Sequence, residues 1–331
     1  MRQLLAMMVL TLVLAASAEL RAAPPPVAGP QPSPAAVQTF TYKTVKGCEI
    51  KADVYGAEPG AKKPAVMRIH GGALMGGSRG GSQNNPNPGN IAANLVELGF
   101  VAVSIDYRLA PETKVPEIIE DVQDAWKWVR GEGPKRFGID PDRIATTGES
   151  AGGYLTLMSG FFLDPRPRAL VSICGYGDID GKWLSEPSEF YRQEPLVSKE
   201  DAYQGIGASI VSERGRQSRH GPVYLYCRQN GIWPNEMSGH DPHTEPRWFD
   251  PYCPVRNVTA KYPPTMLIHG TQDTDVPYAA SADMAAKLKE AGVEHELITL
   301  EGAGHMLVGG KPGDYGQATR RAVEFIKAHT N

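Results

Sequence analysis

Net charge is nearly absent from this chain. Its 331 residues carry 34 Lys and Arg against 37 Asp and Glu, a formal balance of −3. Such a balance offers no electrostatic ground for binding nucleic acid or an acidic membrane. Cysteine is sparse, with Cys48, Cys174, Cys227 and Cys253. None has the paired spacing of a zinc site. His240 and His243 stand three apart, but Pro242 between them opposes the helix that such a metal pair needs. Long apolar runs are missing beyond the first twenty residues, so no other segment reads as a membrane span. Internal repeats are missing as well. What the chain has in quantity is turn chemistry, 36 Gly and 28 Pro beside 41% hydrophobic residues. That composition fits one large α/β domain with an insertion, or two small domains.

The N-terminus carries the marks of export. Arg2 precedes an apolar run over residues 4–16, and Ala16-Ser17-Ala18 is an A-x-A cleavage pattern. Residues 1–18 are therefore expected to be a cleaved signal peptide and 19–36 a Pro/Ala-rich leader, with the protein secreted or periplasmic. Export permits disulfides. Cys174 lies in an apolar run and is expected as a buried thiol. Cys227 and Cys253 share one polar, aromatic-rich region and are the expected bridge.

Alternating patterns over residues 37–45 and 49–55 predict an opening antiparallel pair turning at Gly47. Apolar runs at 65–70, 100–105, 143–147, 169–174, 265–269 and 296–300 predict buried strands. Helices are expected after Asn90, which can act as a cap, over 117–129, from Tyr154, over 279–291 and over 317–328. Strands alternating with helices mean a mostly parallel sheet covered by helices. The rhythm breaks between Tyr176 and Asn257, so residues 177–255 are expected to form a cap inserted after the sixth strand. Core segments at 37–176 and 256–331 flank it.

Gly148-Glu149-Ser150-Ala151-Gly152 follows one predicted strand and opens a helix. This is the strand–turn–helix setting of a nucleophile elbow, where glycines two residues either side of the serine permit a sharp turn. A serine nucleophile needs a base, a group orienting that base, and donors for an oxyanion. His305, in the small-residue loop Glu301-Gly302-Ala303-Gly304-His305, is the candidate base. His70 reads as a turn-stabilising residue and His269 as a strand-end structural group. His220, His295 and His329 read as surface or cap residues. After the strand at 265–269, either Asp273 or Asp275 could turn toward His305, the other serving the turn before Pro277. Oxyanion donors are expected from the amides of Gly72, Ala73 and Ala151.

These motifs resemble the hormone-sensitive-lipase-like esterases among the α/β-hydrolases. The resemblance covers residues 40–176 and 257–328. It is carried by His70-Gly71-Gly72-Ala73, Asp106-Tyr107-Arg108-Leu109-Ala110-Pro111-Glu112, the Ser150 elbow, His269-Gly270-Thr271-Gln272-Asp273 and Gly304-His305. It implies an α/β-hydrolase fold, a Ser150–Asp273–His305 triad, the three oxyanion amides named above, and no cofactor. Ala73-Leu74 stands where that group usually has a third glycine and an aromatic residue. The inserted cap also differs from the group's usual N-terminal one. In its export and its Asp273 motif the chain is also similar to bacterial acetylxylan and feruloyl esterases.

The function expected is hydrolysis of short-acyl or aromatic esters, with a small molecule or a polysaccharide as substrate. Cap aromatics such as Trp183, Tyr191, Tyr224, Trp233 and Trp248 suit sugars or phenolic rings better than an oil surface. Two rival expectations are a prolyl-oligopeptidase-type peptidase and a non-catalytic binding module. Nothing before Gln38 suggests a propeller, which counts against the first. All three triad residues are present, which counts against the second.

Overall fold

The computed structural model describes residues 37–80, 91–214 and 221–331. The expected signal peptide and leader, the capping Asn90 and His220 lie outside the described residues. Within them, β1 (Gln38–Val45) and β2 (Cys48–Tyr55) form the expected antiparallel hairpin, turning through Lys46 and Gly47 at positive φ. Then follow β3 (Lys63–Ile69), α1 (Ile91–Glu97), β4 (Val101–Ile105), α2 (Val115–Phe137), β5 (Ile139–Glu149), α3 (Ala151–Phe162) and β6 (Leu170–Ile173). After the insertion come β7 (Thr265–Gly270), α8 (Ala279–Glu290), β8 (His295–Leu300) and α9 (Asp314–Thr330). The sheet order is β1-β2-β4-β3-β5-β6-β7-β8, parallel from β4 onward. This is the α/β-hydrolase architecture.

Strand alternation divides the core in two. Met67, Val103 and Ile144 face α2 and α3, while Val66, Ala102 and Ala145 face α1 and α9. Helix α8 packs beside α3 through Leu157, Leu267 and Met284. Register decides where the chemistry sits. Ile69 pairs with Gly148, and Glu149 with Ile173, so β3, β5 and β6 end level with one another. Their following loops open on the same edge, as parallel sheets require of a ligand site.

Helix α2 departs from expectation. It continues past Val129 through Gly131, Gly133 and Pro134, and stops at Gly138, in the left-handed region at φ 72°. Packing overrides the poor propensity of that last stretch. Gly133 lies against Ile139, where an added Cβ would sit 3.0 Å from its side chain. Phe137 is buried against Phe40 and Trp128, with ring centroids 5.1 and 5.4 Å away.

The insertion holds α4 (Lys182–Ser185), α5 (Lys199–Ala202), α6 (Pro222–Asn230), α7 (Trp233–Ser238) and short 3-10 turns. Its buried Leu184, Tyr191, Cys227, Trp233 and Phe249 belong to the same apolar cluster as the sheet residues. The segment therefore shares the core of the main sheet.

The expected Cys227–Cys253 bridge is not formed; all four cysteines are free thiols. Cys227 points from α6 into the apolar interior with Glu236 and Lys114 for charged neighbours. Cys253 ends a 3-10 turn with its sulfur 3.5 Å from Asp180 Oδ1. Burial pushes both thiols up, which keeps them protonated and unreactive. Cys174 is fully buried, as expected.

Thermal unfolding with and without a thiol reductant should therefore give one Tm. A bridge worth about 2–4 kcal/mol would instead appear as a drop of several degrees on reduction.

Candidate active site

Ser150 stands between β5 and α3 at φ 56°, ψ −121°, a conformation that L-residues rarely adopt. Close backbone contacts hold it there. A Cβ on Gly148 would lie 2.3 Å from the Gly152 carbonyl oxygen, and one on Gly152 would lie 2.0 Å from that of Ile69. The Ser150 amide donates to the Ile173 carbonyl at 2.8 Å, which ties the turn to β6.

The loop after β3 passes directly over this turn. A Cβ on Gly71 would meet the Glu149 carbonyl oxygen at 2.6 Å and Ser150 Cβ at 3.2 Å. Gly72 and Ala73 have positive φ and line, with Ser150, a cleft of about 390 Å³. Ala151 begins α3, so its amide belongs to the unsatisfied first turn of that helix. The three amides expected to serve an oxyanion therefore flank the serine. Ala73, where the group it resembles usually has a third glycine, is nonetheless held at φ 56°, a conformation that L-residues rarely adopt.

The Asp106–Glu112 motif shows its purpose only in three dimensions. Tyr107 donates its hydroxyl to the His70 carbonyl at 2.8 Å and stacks on the His70 ring at 4.2 Å. The Ala110 amide bonds the Leu74 carbonyl, and Glu112 pairs with Arg214 at 2.6 Å. Asp106 binds Arg79, and Arg108 binds Asp121 of α2. Each contact pins the Gly72–Ala73 loop or its support. Trp233 adds one from the insertion, donating Nε1–H to the Ala73 carbonyl at 3.2 Å.

His305 occupies a short turn after β8. Its Nε2 lies 3.1 Å from Ser150 Oγ, and its Nδ1 lies 2.8 Å from Asp273 Oδ2. Because a carboxylate only accepts, Nδ1 carries the hydrogen and Nε2 is left facing the serine. The loops bearing the two residues are stitched together, Gln272 N–H donating to the Ala303 carbonyl at 2.9 Å. Asp273 Oδ1 accepts the amides of Asp275 and Val276, both at 2.9 Å. Burial alone would raise its carboxyl. Hydrogen bonds from His269 and His305, the His305 charge and the Val276 amide instead hold it well below the ordinary carboxylate range.

His269 does more than end a strand. Its Nε2 lies 3.1 Å from both Asp273 Oδ2 and the Val276 carbonyl, so it carries the hydrogen there, while Nδ1 faces Ser281 Oγ at 2.7 Å. Cys174 sits below, near the amides of Met306, Leu307 and Gly270; burial raises its thiol, and those amides act the other way. Cys174, His269 and Asp273 bring possible metal-ligand atoms within 4.8 Å of one another. Their donors and acceptors are already engaged in holding the His305 loop. The His269-to-Asp273 spacing was the one sequence signal for this support. His240 and His243 are not brought together as a pair. His240 binds Glu245 and stacks on Trp248, while His243 binds the Ser185 carbonyl.

Asp275 is not the partner of Nδ1, yet it is in the site. Its Oδ2 lies 3.3 Å from His305 Nε2, and its Oδ1 is bound by Tyr191, Tyr224 and Arg228. Burial would raise this carboxyl; the charges of His305 and Arg228 and the two hydroxyls bring it below the ordinary value.

The sequence profile of the alpha/beta hydrolase fold matches residues 66–308. Among curated proteins, the chain is 27% identical over 304 residues to the non-reducing polyketide synthase Preu6 of Preussia isomera, covering 82% of this chain and 14% of that one. It is 28% identical to the non-reducing polyketide synthase pkbA of Emericella nidulans, covering 88% and 14%. The chain thus spans about 14% of the length of these relatives. Among solved structures, a Staphylococcus aureus protein of unknown function superposes with a TM-score of 0.69 at 20% identity, covering 89% of this chain and all of the other. Thermogutta terrifontis esterase 2, phosphonylated by sarin, superposes at 0.62 with 22% identity, covering 90% and 96%. At such identities the superpositions speak for the fold.

Two glycine substitutions should separate crowding from propensity in urea unfolding. Gly152→Ala drives a Cβ into backbone oxygen and should cost at least about 1–3 kcal/mol. Gly131→Ala, within α2 and with open space around it, should gain up to ~1 kcal/mol.

Proposed function

This chain belongs to the alpha/beta hydrolase family, and on that footing we propose that it is a serine carboxylic-ester hydrolase working through an acyl-enzyme. The observation that carries the proposal is the continuous hydrogen-bonded line from Ser150 Oγ through His305 to Asp273, at 3.1 and 2.8 Å, on the wall of an open cleft. Solved esterases among the structural neighbours agree with it.

In the proposed cycle Ser150 Oγ attacks the ester carbonyl carbon, and its proton passes to His305 Nε2. Charge moves onto the carbonyl oxygen, facing the amides of Gly72, Ala73 and Ala151. Asp273, held ionised by its neighbours, stabilises the imidazolium. Collapse breaks the bond to the leaving oxygen, which takes the proton from Nε2. Water, deprotonated by His305, then attacks the acyl carbon and releases the acid and Ser150. No step calls for a cofactor.

The leaving oxygen must meet His305, so the alcohol belongs on the side where His305 forms the wall. That side is the cleft of about 390 Å³, with Gln204, Arg214 and Thr274 also lining it. The acyl group then faces the recess among Ala73, Tyr176, Trp183, Leu184, Trp233 and Val276, of about 10 Å³. Such a space suits one water or one methyl group. The proposed substrate is accordingly a short-acyl ester, acetyl before feruloyl, of a bulky alcohol such as a polysaccharide. Export through residues 1–18 belongs to the same proposal and rests on the sequence pattern there.

Ser150→Ala should abolish ester turnover and covalent labelling by a fluorophosphonate while leaving Tm nearly unchanged. Turnover within tenfold of the parent would remove Ser150 from the role. Asp273→Asn should lower kcat by about 10⁴-fold, since an amide cannot hold the needed tautomer. Activity on a proline-containing peptide amide exceeding that on nitrophenyl acetate would favour the peptidase reading.

Because Asp273 stays ionised far into acid, loss of activity on acidification should follow protonation of His305. The kcat/KM profile should rise with pH to a plateau as this base loses its proton. A midpoint near ~4, in the range of an ordinary carboxyl, would contradict the burial and bonding of Asp273.

A further inference from the structure

Asp275 has two oxygens with different surroundings. Oδ1 accepts from Tyr191 Oη at 2.8 Å, from Arg228 Nη1 at 3.0 Å and from Tyr224 Oη. Those donors come from the insertion, and Arg228 also binds the Asp275 backbone carbonyl at 3.0 Å. Arg228 is 3% exposed, and its guanidinium lies over the rings of Trp183, Tyr191 and Tyr224. Three donors on one oxygen fix the carboxylate plane. Oδ2 is thereby turned to the reacting edge of His305, 3.3 Å from Nε2. Anchoring the insertion uses Oδ1 and the carbonyl; it makes no use of Oδ2.

In the neutral form that can take the serine proton, with its hydrogen on Nδ1, His305 offers a lone pair at Nε2; when Nε2 is protonated, the same Oδ2 pairs with it. Oδ2 is also an acceptor, so two acceptors stand side by side at the point where the leaving oxygen must arrive. Ser150 supplies a hydrogen to Nε2. An acceptor beside it, on the wall of the same cleft, calls for a second donor from the substrate. A hydroxyl on the carbon next to the esterified one supplies it. The two oxygens of a gauche vicinal diol are separated by ~2.8 Å, about a hydrogen-bond length. That spacing lets one oxygen reach Nε2 while its neighbour donates to Oδ2.

We propose that Asp275 selects esters of vicinal diols, accepting a hydrogen bond at Oδ2 from the free hydroxyl beside the ester while His305 serves the leaving oxygen. The proposal rests on the esterase reading and narrows it to partly acylated polyols, sugars among them. Asp275 acts in binding; no bond is made or broken at it. Fully acylated polyols and simple alkyl esters lack the donor and leave the carboxylate facing them unmatched.

The test compares kcat/KM for 2-hydroxyethyl acetate with that for propyl acetate, which matches it in size but lacks the hydroxyl. The wild type should favour the hydroxylated ester by about tenfold or more, as expected of one hydrogen bond to a charged acceptor. Asp275→Asn keeps its amide oxygen on the three donors and turns its NH₂ to the cleft, exchanging acceptor for donor. That ratio should then fall to about one or below. Equal rates on the two esters by the wild type, or an undiminished ratio in Asp275→Asn, overturn the proposal. A wild type inert toward both esters and unlabelled by a fluorophosphonate overturns the esterase reading itself, and this proposal with it. Should Asp275→Asn fail to fold, 4-hydroxybutyl acetate decides the matter with the wild type alone. Its hydroxyl is too distant to be shared, so it should be hydrolysed like butyl acetate; rates equal to those of 2-hydroxyethyl acetate overturn the proposal.

Discussion

The backbone at Ser150 is held in a conformation that costs about 1–3 kcal/mol, and the cleft depends on that strain being kept. What keeps it is the absence of side chains around it. Gly148 and Gly152 let β5 and α3 close on the end of β3, and Gly71 lets the next loop cross above. The same contacts set the distance between the serine and the amides of Gly72 and Ala73. One packing event therefore raises the hydroxyl and places the donors for the charge that its attack would create. Strain at a single residue is affordable because the parallel pairing of β3, β5 and β6 on either side is continuous.

Beneath the cleft lies a second layer of polar groups whose work is orientation. Asp273 receives two amides on one oxygen and two imidazoles on the other. His269 is fixed by Ser281, and the buried Cys174 lies close under the turn that carries His305. Buried polar groups are costly when unpaired and directing when paired. In this network an acid buried in the protein remains ionised, and a histidine at the surface of the cleft keeps one tautomer.

The insertion is joined to this network by charge as well as by apolar packing. Arg228 and Asp275 are buried together, and losing one partner of such a pair leaves an uncompensated charge worth about 3–5 kcal/mol. Trp233, from the same insertion, holds the carbonyl of Ala73. The segment that lines the cleft thus also steadies both the Gly72–Ala73 loop and the loop of Asp273 and Asp275. Its placement is a condition of the site's geometry.

The sequence by itself determined the order of strands and helices, the elbow at Ser150, His305 in its glycine-rich loop, and Gly72-Ala73 beyond β3. These are local matters: side-chain period, small residues at a sharp turn, and the position of a loop after a strand. It left Asp273 and Asp275 as alternatives, since two residues of one turn differ only in what each faces. Tertiary structure decided between them by turning Asp273 to Nδ1 and Asp275 to Nε2 of the same ring. It also carried α2 through Gly133 and Pro134, because Phe137 and Ile139 had a core to enter. And it kept Cys227 and Cys253 apart as thiols, although they share one stretch of sequence. Direction and distance between segments arise only when the sheet closes, because they are properties of pairs that composition and spacing never bring together.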